Sequence, residues 1–228
     1  MRDAPSPNHG PRPEGVAGPD LIVLHYTAMR GGAGPAIARL SDPAAEVSCH
    51  YVIGERGTLT RLVPDDRRAW HAGAGSWGAS TDVNSRSLGI ELSNDGASPF
   101  GAAQMDRLEA LLARLMTRHA IEPRNVIGHS DCAPGRKIDP GPRFDWRRLA
   151  RRGLSVWPAD GTVETDAARF LRDLRAAGWT ADAPVPDLLR ALRLRFRPWA
   201  EGPLDGRDCA IAADIARRYP VDRMALTA

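Results

Sequence analysis

The segment Asp20-Leu-Ile-Val-Leu-His25 places four consecutive apolar residues between polar ones. A run this short, containing β-branched residues and bounded by polar groups, is typical of a buried strand. A second run, Leu88-Gly-Ile-Glu-Leu92, has the same character but carries a glutamate inside it. A buried carboxylate is costly unless it has a partner or a task, so Glu91 is a candidate functional residue.

Shorter segments around these two runs complete a sheet. His50-Tyr-Val-Ile53 and Leu59–Val63 are predicted to pair as a hairpin across the turn at residues 54–57. Val126–Gly128 is predicted to form a last short strand that leads into a loop rich in glycine and proline. These strands supply the core of the predicted domain.

Helices are predicted between and after the strands. From Ala103 to His119, apolar residues recur on one face of a helix of about four to five turns, and residues 144–149 resemble a closing helix. Residues 64–87 show little periodicity and are predicted to be a long surface loop. Strands that alternate with helices predict the α/β class, with a mixed central β-sheet flanked by helices.

The 228 residues divide into four predicted parts. Residues 1–19 are a flexible N-terminal arm rich in proline and glycine, residues 20–153 the α/β domain, and residues 154–163 a linker. Residues 164–228 form a small C-terminal domain with three helix-like stretches, at 165–177, 184–195 and 206–219.

Composition narrows the class of protein. Hydrophobic residues make up 43% and charged residues 26%, with a net charge of +3, as in an ordinary globular chain. The densest basic patch, Arg147–Arg152, reads as a solvated helix end, so we predict no nucleic-acid partner. No apolar run is long enough to be a transmembrane segment. The sequence predicts no oligomeric state.

Compartment is a separate expectation. No apolar segment near the start resembles a signal peptide, and three cysteines give no disulfide framework. We therefore expect a cytoplasmic protein. The alternative is a periplasmic or outer-membrane-associated protein whose upstream signal is missing from this sequence.

Polar groups with metal-binding chemistry lie where strands end. His25 and His129 each close a predicted strand, and Asp139 lies ten residues beyond His129 across a loop. Two neutral imidazoles and one carboxylate are a familiar set for a catalytic zinc ion with an open position. A histidine at a strand end is more often structural, so these residues alone leave both interpretations open.

Five segments, in this order, resemble the type-2 N-acetylmuramoyl-L-alanine amidase family, in its AmpD-like and AmiD-like branch. The resemblance covers about residues 20–150, and no single segment is specific alone. The segments are His25-Tyr-Thr-Ala28, Ser48-Cys-His-Tyr-Val-Ile53, Trp70-His-Ala-Gly73, Asn84-Ser-Arg-Ser-Leu-Gly-Ile-Glu-Leu92 and the loop His129–Asp139.

The resemblance implies a zinc hydrolase. It assigns His25, His129 and Asp139 as ligands of Zn²⁺ and Glu91 as the catalytic acid and base. Lys137 matches the basic residue that stabilises the oxyanion, although a solvated loop lysine is the simpler alternative. The implied reaction cleaves the amide bond between N-acetylmuramic acid, or its 1,6-anhydro form, and L-alanine in peptidoglycan or muropeptides.

The resemblance also implies binding residues. Tyr26, His71 and Asn84 are expected to contact substrate, with a hydrogen-bonded structural histidine as the alternative for His71. The helical segment around Phe196-Arg-Pro198 is similar to a small peptidoglycan-binding domain. Its alternative is an appendage that only stabilises the catalytic domain.

Two other functions are alternatives to this hydrolase. The first is a recognition module that keeps the fold but does no chemistry; such relatives usually lose a metal ligand. The second is a lysin that attacks intact cell walls. Activity with and without a chelator separates the first from the hydrolase, and activity on sacculi against soluble fragments separates the second.

Overall fold

The computed structural model describes residues 1–221, whose centre is a mixed six-stranded sheet of order β1-β5-β4-β7-β3-β8. Strands β4, β7, β3 and β8 are mutually parallel, whereas β5 is antiparallel to β4. A separate two-stranded ribbon joins β2 and β6. The strands are β1 Arg2–Asp3, β2 His9–Pro11, β3 Leu21–Tyr26, β4 Tyr51–Ile53, β5 Leu59–Arg61, β6 Arg67–Ala69, β7 Ser87–Leu92 and β8 Val126–Gly128.

Helices cover both faces of this sheet. Alternate residues of β3 and β7 point to opposite sides, and those on one side pack against α3 and α5 in a closed apolar cluster. The predicted α/β class is confirmed. The helices are α1 Ala33–Ser41, α2 Val83–Arg86, α3 Ala102–His119, α4 His129–Cys132, α5 Trp146–Arg151, α6 Ala167–Ala177, α7 Val185–Phe196 and α8 Gly206–Arg218.

The prediction of a flexible arm at residues 1–19 is wrong. β1 pairs with β5, and β2 pairs with β6. The Asn8 amide donates to the carbonyls of Asp42 and Val47 at 2.7 and 2.9 Å, and Ser6 is buried. Proline and glycine exclude long regular elements, but short edge strands tolerate both residues.

The prediction of a surface loop at residues 64–87 is also wrong. The segment contains β6 and α2, and it buries Ala72, Trp77 and Val83 in the core. Its small residues allow the backbone to pass close under neighbouring elements. A Cβ at Gly75 would lie only 2.5 Å from the Cys132 carbonyl oxygen. Close backbone packing, which has no sequence periodicity, holds this segment in place.

The three C-terminal helices pack on the second face of the sheet. Leu21 and Val23 of β3 and Ile127 of β8 share one apolar cluster with residues of α6, α7 and α8. Leu154–Val156, within the predicted linker, are themselves buried. The helices therefore form a third layer of one structure. None of the helices described is long and apolar enough to span a membrane.

Candidate active site

Three neighbouring parallel strands bring the candidate residues to one edge of the sheet. His25 of β3 is the register partner of Glu91 in β7. On the other side of β3, Gly128 of β8 pairs with Leu24, so that His129 follows directly at the start of α4. Parallel strands end at the same edge, so side chains far apart in the chain converge there.

The loop after α4 returns Asp139 to the two histidines. Its Oδ2 atom lies 2.9 Å from His25 Nδ1 and 3.1 Å from His129 Nδ1. The two Nδ1 atoms are 3.0 Å apart. A backbone hydrogen bond from Ser130 to the Asp139 carbonyl, at 2.9 Å, closes the loop. All three side chains are buried. The distances show that the three residues lie together, as the sequence analysis expected.

The donor chemistry of this triangle fits a cation. The Nε2 atom of His129 lies 2.8 Å from the Ala72 carbonyl oxygen. A carbonyl only accepts, so Nε2 carries the proton and Nδ1 carries a lone pair. That lone pair faces the Asp139 carboxylate, an arrangement that repels unless a positive ion lies between them. Ligand atoms on a tetrahedral zinc ion lie roughly 3.3–3.6 Å apart, only slightly wider than the distances here.

Burial sets the charges at the site. It lowers the pKa of His25 to about 4, with the neighbouring His129 adding to the effect. Burial alone favours the protonated form of Asp139, but positive charge on the adjacent His129 and His25 rings favours the carboxylate and lowers the pKa of that carboxyl well below its usual range. At neutral pH a neutral His25 imidazole therefore faces an ionised carboxylate, as a divalent metal requires.

Glu91 lines a cavity of about 560 Å³ that also exposes His25, His129 and Asp139. Among residues 1–221, its Oε2 atom is enclosed and has no hydrogen-bond partner. Burial raises the pKa of Glu91 to about 8, the nearby Asp139 charge raises it further, and Lys137 opposes both. An unpartnered carboxyl group with a pKa near neutrality is poised to take up and release a proton.

Comparison with known proteins identifies the family of this chain. The N-acetylmuramoyl-L-alanine amidase family matches residues 15–142. The chain belongs to this family. The N-acetylmuramoyl-L-alanine amidase AmiD of Escherichia coli is 32% identical over an alignment 235 residues long, which covers 89% of this chain and 84% of AmiD. The 1,6-anhydro-N-acetylmuramyl-L-alanine amidase AmpD of Enterobacter cloacae is 38% identical, over 65% of this chain and 87% of AmpD.

Solved structures agree with the amidase fold. The complex of E. coli AmiD with anhydro-N-acetylmuramic acid-L-Ala-D-γ-Glu-L-Lys superposes with a TM-score of 0.79 at 33% identity, covering 92% of this chain and 94% of that one. AmpDH3 from Pseudomonas aeruginosa in complex with anhydromuramic pentapeptide gives 0.80 at 30% identity, with 92% and 96% coverage. Both comparisons include the C-terminal part of the amidase.

Two further residues predicted from the sequence lie at the amidase cavity. Lys137 is exposed and lines it, two residues before Asp139. Tyr26 lines it as well, and its ring lies against Gly96 and Gly141, where an added Cβ would come within 3.2 and 3.1 Å. Both positions are compatible with contact to a bound substrate.

His71 and Asn84 lie behind the three candidate metal ligands. The His71 Nδ1 atom is 3.0 Å from His25 Nε2, on the side of that ring away from Asp139. The Asn84 side chain is buried, and its Oδ1 atom accepts the backbone N–H groups of His71 and Ala72 at 3.0 and 2.8 Å. His71 still borders the cavity, whereas the contacts of Asn84 are with the protein itself.

Sequence reasoning assigned no role to three other residues around the site. Ser87 hydrogen-bonds His71 at 3.0 Å, and the Arg136 guanidinium donates to the Ala72 carbonyl at 2.7 Å. Arg195 of α7 forms an ion pair with Asp131 at 2.8 Å, two residues after His129. Of the three, only Arg195 could have been found from the sequence. It follows Leu188 and Leu192 on the apolar face of its helix, where a charged side chain needs a partner.

Proposed function

We propose that this amidase uses one zinc ion, held by His25, His129 and Asp139, to hydrolyse the bond between N-acetylmuramic acid and L-alanine. Two imidazole nitrogens and a carboxylate oxygen within about 3 Å of one another support this ligand set. When bound, zinc would supply Lewis-acid activation of water and of the scissile carbonyl. The single observation that carries the proposal is the convergence of these three donors beside an unpartnered Glu91.

In this proposal Glu91 carries the proton. It accepts one from the attacking water and then delivers it to the alanine nitrogen, because an amine leaves an amide only once it is protonated. The raised pKa of Glu91, about 8, supports both transfers near neutral pH. Register pairing with His25 keeps the carboxyl group beside the metal ligands.

Lys137 and Tyr26 are proposed to contact the substrate. The exposed Lys137 at the cavity wall would stabilise the negative charge that develops on the carbonyl oxygen, a role typically worth roughly 3 kcal/mol per donor. The Tyr26 ring, fixed between Gly96 and Gly141, would offer a flat surface to the sugar or stem peptide.

The test uses an anhydromuramyl tripeptide of the kind bound in the AmiD complex. Purified protein should release the peptide, lose this activity after chelation and regain it on addition of Zn²⁺. Release that continues in fully metal-free protein would exclude the zinc mechanism. Zinc binding without any release would favour the recognition module instead.

The preferred substrate is proposed to be the soluble anhydromuramyl peptide, since the two solved relatives above are complexes with such compounds. Parallel assays on purified sacculi separate this preference from a lysin. A cytoplasmic location remains a prediction, and fractionation of the native host checks it.

We also propose that the helical layer binds the peptidoglycan polymer. A groove of about 670 Å³ follows α7 and is lined by Leu189, Leu194 and Leu204. Co-sedimentation of the full chain with sacculi, compared between wild type and Leu194→Glu, tests this role. Equal sedimentation of two folded proteins would leave the helices as structural elements only.

A further inference from the structure

A chain of hydrogen bonds runs from the core to the back of His25. The Ser87 hydroxyl lies 2.6 Å from the Val83 carbonyl oxygen and 3.0 Å from His71 Nε2. On the other side of the same ring, His71 Nδ1 lies 3.0 Å from His25 Nε2. The chain therefore ends on the imidazole that faces Asp139.

Each proton in this series of hydrogen bonds has one position. The Val83 carbonyl only accepts, so the single Ser87 proton is donated to it, and Ser87 Oγ accepts from His71 Nε2–H. A neutral His71 then has a lone pair at Nδ1, which accepts from His25 Nε2–H. A neutral His25 is left with its lone pair at Nδ1, the atom 2.9 Å from Asp139 Oδ2.

The segment that carries His71 also holds the second histidine ligand. The Ala72 carbonyl accepts from His129 Nε2 at 2.8 Å, which leaves the His129 lone pair at Nδ1. One dipeptide, His71-Ala72, thus contacts the back of both imidazoles, one through a side chain and the other through the backbone. Asn84 fixes this dipeptide by accepting both of its N–H groups.

The sheet leaves space for this arrangement. Ser87, Gly89 and Glu91 alternate along β7, so they share the face that also carries His25. The His71 ring lies directly over Gly89, where an added Cβ would come within 2.5–2.8 Å of three ring atoms. A glycine between Ser87 and Glu91 is therefore required for His71 to reach both Ser87 and His25.

We propose that His71 is a positioning residue for the metal site: with Ser87 it fixes the tautomer of His25 so that Nδ1 is preset to bind the ion. This inference rests on the proposed zinc function. It gives His71 a role through His25, in place of the substrate contact expected from the sequence. Partners behind metal-binding histidines typically change metal affinity by about 10–100-fold when they are removed.

The test measures zinc affinity by competition with a chromophoric chelator in wild type, Ser87→Ala, His71→Phe and His71→Gln. Removing the acceptor with His71→Phe should weaken zinc binding by about 10–100-fold, and Ser87→Ala by about 10-fold. His71→Gln should restore part of the affinity, because its amide oxygen can accept from His25 Nε2–H. The matched control is Ser93→Ala, which removes a buried hydroxyl that has no hydrogen-bond partner in the described chain.

Long-range ¹H–¹⁵N spectra of the zinc-loaded proteins give a readout that a structural role would not change. In wild type, the His25 Nε2–H should give a hydrogen-bonded signal that exchanges slowly with water, whereas in His71→Phe this proton should exchange fast. Unchanged exchange of the His25 Nε2–H in folded His71→Phe, together with unchanged zinc affinities in Ser87→Ala and His71→Phe, would overturn the inference. If wild type itself binds no zinc, the proposed function fails instead.

Discussion

Two buried polar clusters hold opposite sides of the loop from Gly128 to Asp139. At the cavity, the lone pairs of His129 and Asp139 converge beside an unpartnered Glu91 carboxyl oxygen. On the opposite side, Asp131 meets the Arg195 guanidinium at 2.8 Å, with both side chains 1% exposed. The cavity cluster brings electron-rich nitrogen and oxygen atoms together, whereas the other cluster brings opposite charges together.

The difference separates chemistry from support. Buried polar groups normally have hydrogen-bond partners. The two terminal nitrogens of Arg195 have them, since they also donate to the Val126 carbonyl at 2.9 Å and to Ser155 at 3.1 Å, whereas Arg195 Nε and Asp131 Oδ1 have none in the described part of the chain. Its guanidinium lies 4.6 Å from the Trp146 ring centre. The cavity cluster has no opposite charge of its own at this distance, which supports the proposed binding of a cation there and the proposed proton transfer by Glu91.

The largest expected effect comes from Glu91→Gln. This substitution keeps the size of the side chain but removes its ability to carry a proton, so turnover of the anhydromuramyl peptide should fall by about 10²–10⁴-fold. Zinc content should stay at the wild-type level, because the three ligands are intact. Assay and metal analysis of the same preparation check both points, and retained turnover would remove Glu91 from the proton-transfer role.

Arg195→Met should act on stability instead. It leaves the Asp131 carboxylate buried without its cation, which typically costs about 3–5 kcal/mol of unfolding free energy. Denaturant unfolding measures this loss, and the double variant Arg195→Met/Asp131→Asn should recover part of it. At temperatures where the single variant is folded, turnover should approach that of wild type. A selective loss of turnover in fully folded protein would show that the support cluster also shapes the site.

A pH series on metal-free protein probes the cavity cluster alone. In the fold the pKa of Glu91 is raised to about 8, above its value near 4.3 in unfolded chains. The folded state therefore holds this proton more tightly, and stability declines as pH rises through about 8. His25 has a pKa of about 4 in the fold, so above pH 6.5 it no longer contributes to the change of stability with pH.

Glu91→Gln should flatten this decline between pH 6.5 and 8.5, as followed by chemical unfolding in chelator. Added zinc should also flatten it in wild type, since a nearby cation stabilises the ionised carboxylate. Parallel curves for wild type and variant without metal would contradict the raised pKa.

The sequence was informative about strands, helices and the candidate ligands. Short apolar runs located β3 and β7, and the spacing of apolar residues located α3 close to its observed bounds of Ala102–His119. Convergence of His25 and His129 came from the family resemblance, because no spacing reveals which parallel strands become neighbours.

What the sequence did not reveal depends on contacts without periodicity. The N-terminal segment is held by hydrogen bonds from single polar side chains such as Asn8. His71 is placed by the absence of a side chain at Gly89. Ser87 contacts the His71 ring, and Asn84 contacts the backbone of His71 and Ala72. Such contacts become visible only when hydrogen bonds are followed atom by atom.

The smallest effect is expected where a charged pair lies in solvent. Arg61 and Asp3 join β5 to β1 at 3.0 Å, with side chains 42% and 58% exposed. Water already solvates both charges, so Asp3→Asn should change the unfolding free energy by only about 0–1 kcal/mol. Denaturant unfolding beside Arg195→Met measures the two pairs on one scale. A loss as large as that of Arg195→Met would mean that burial is not what distinguishes the support cluster from an ordinary surface pair.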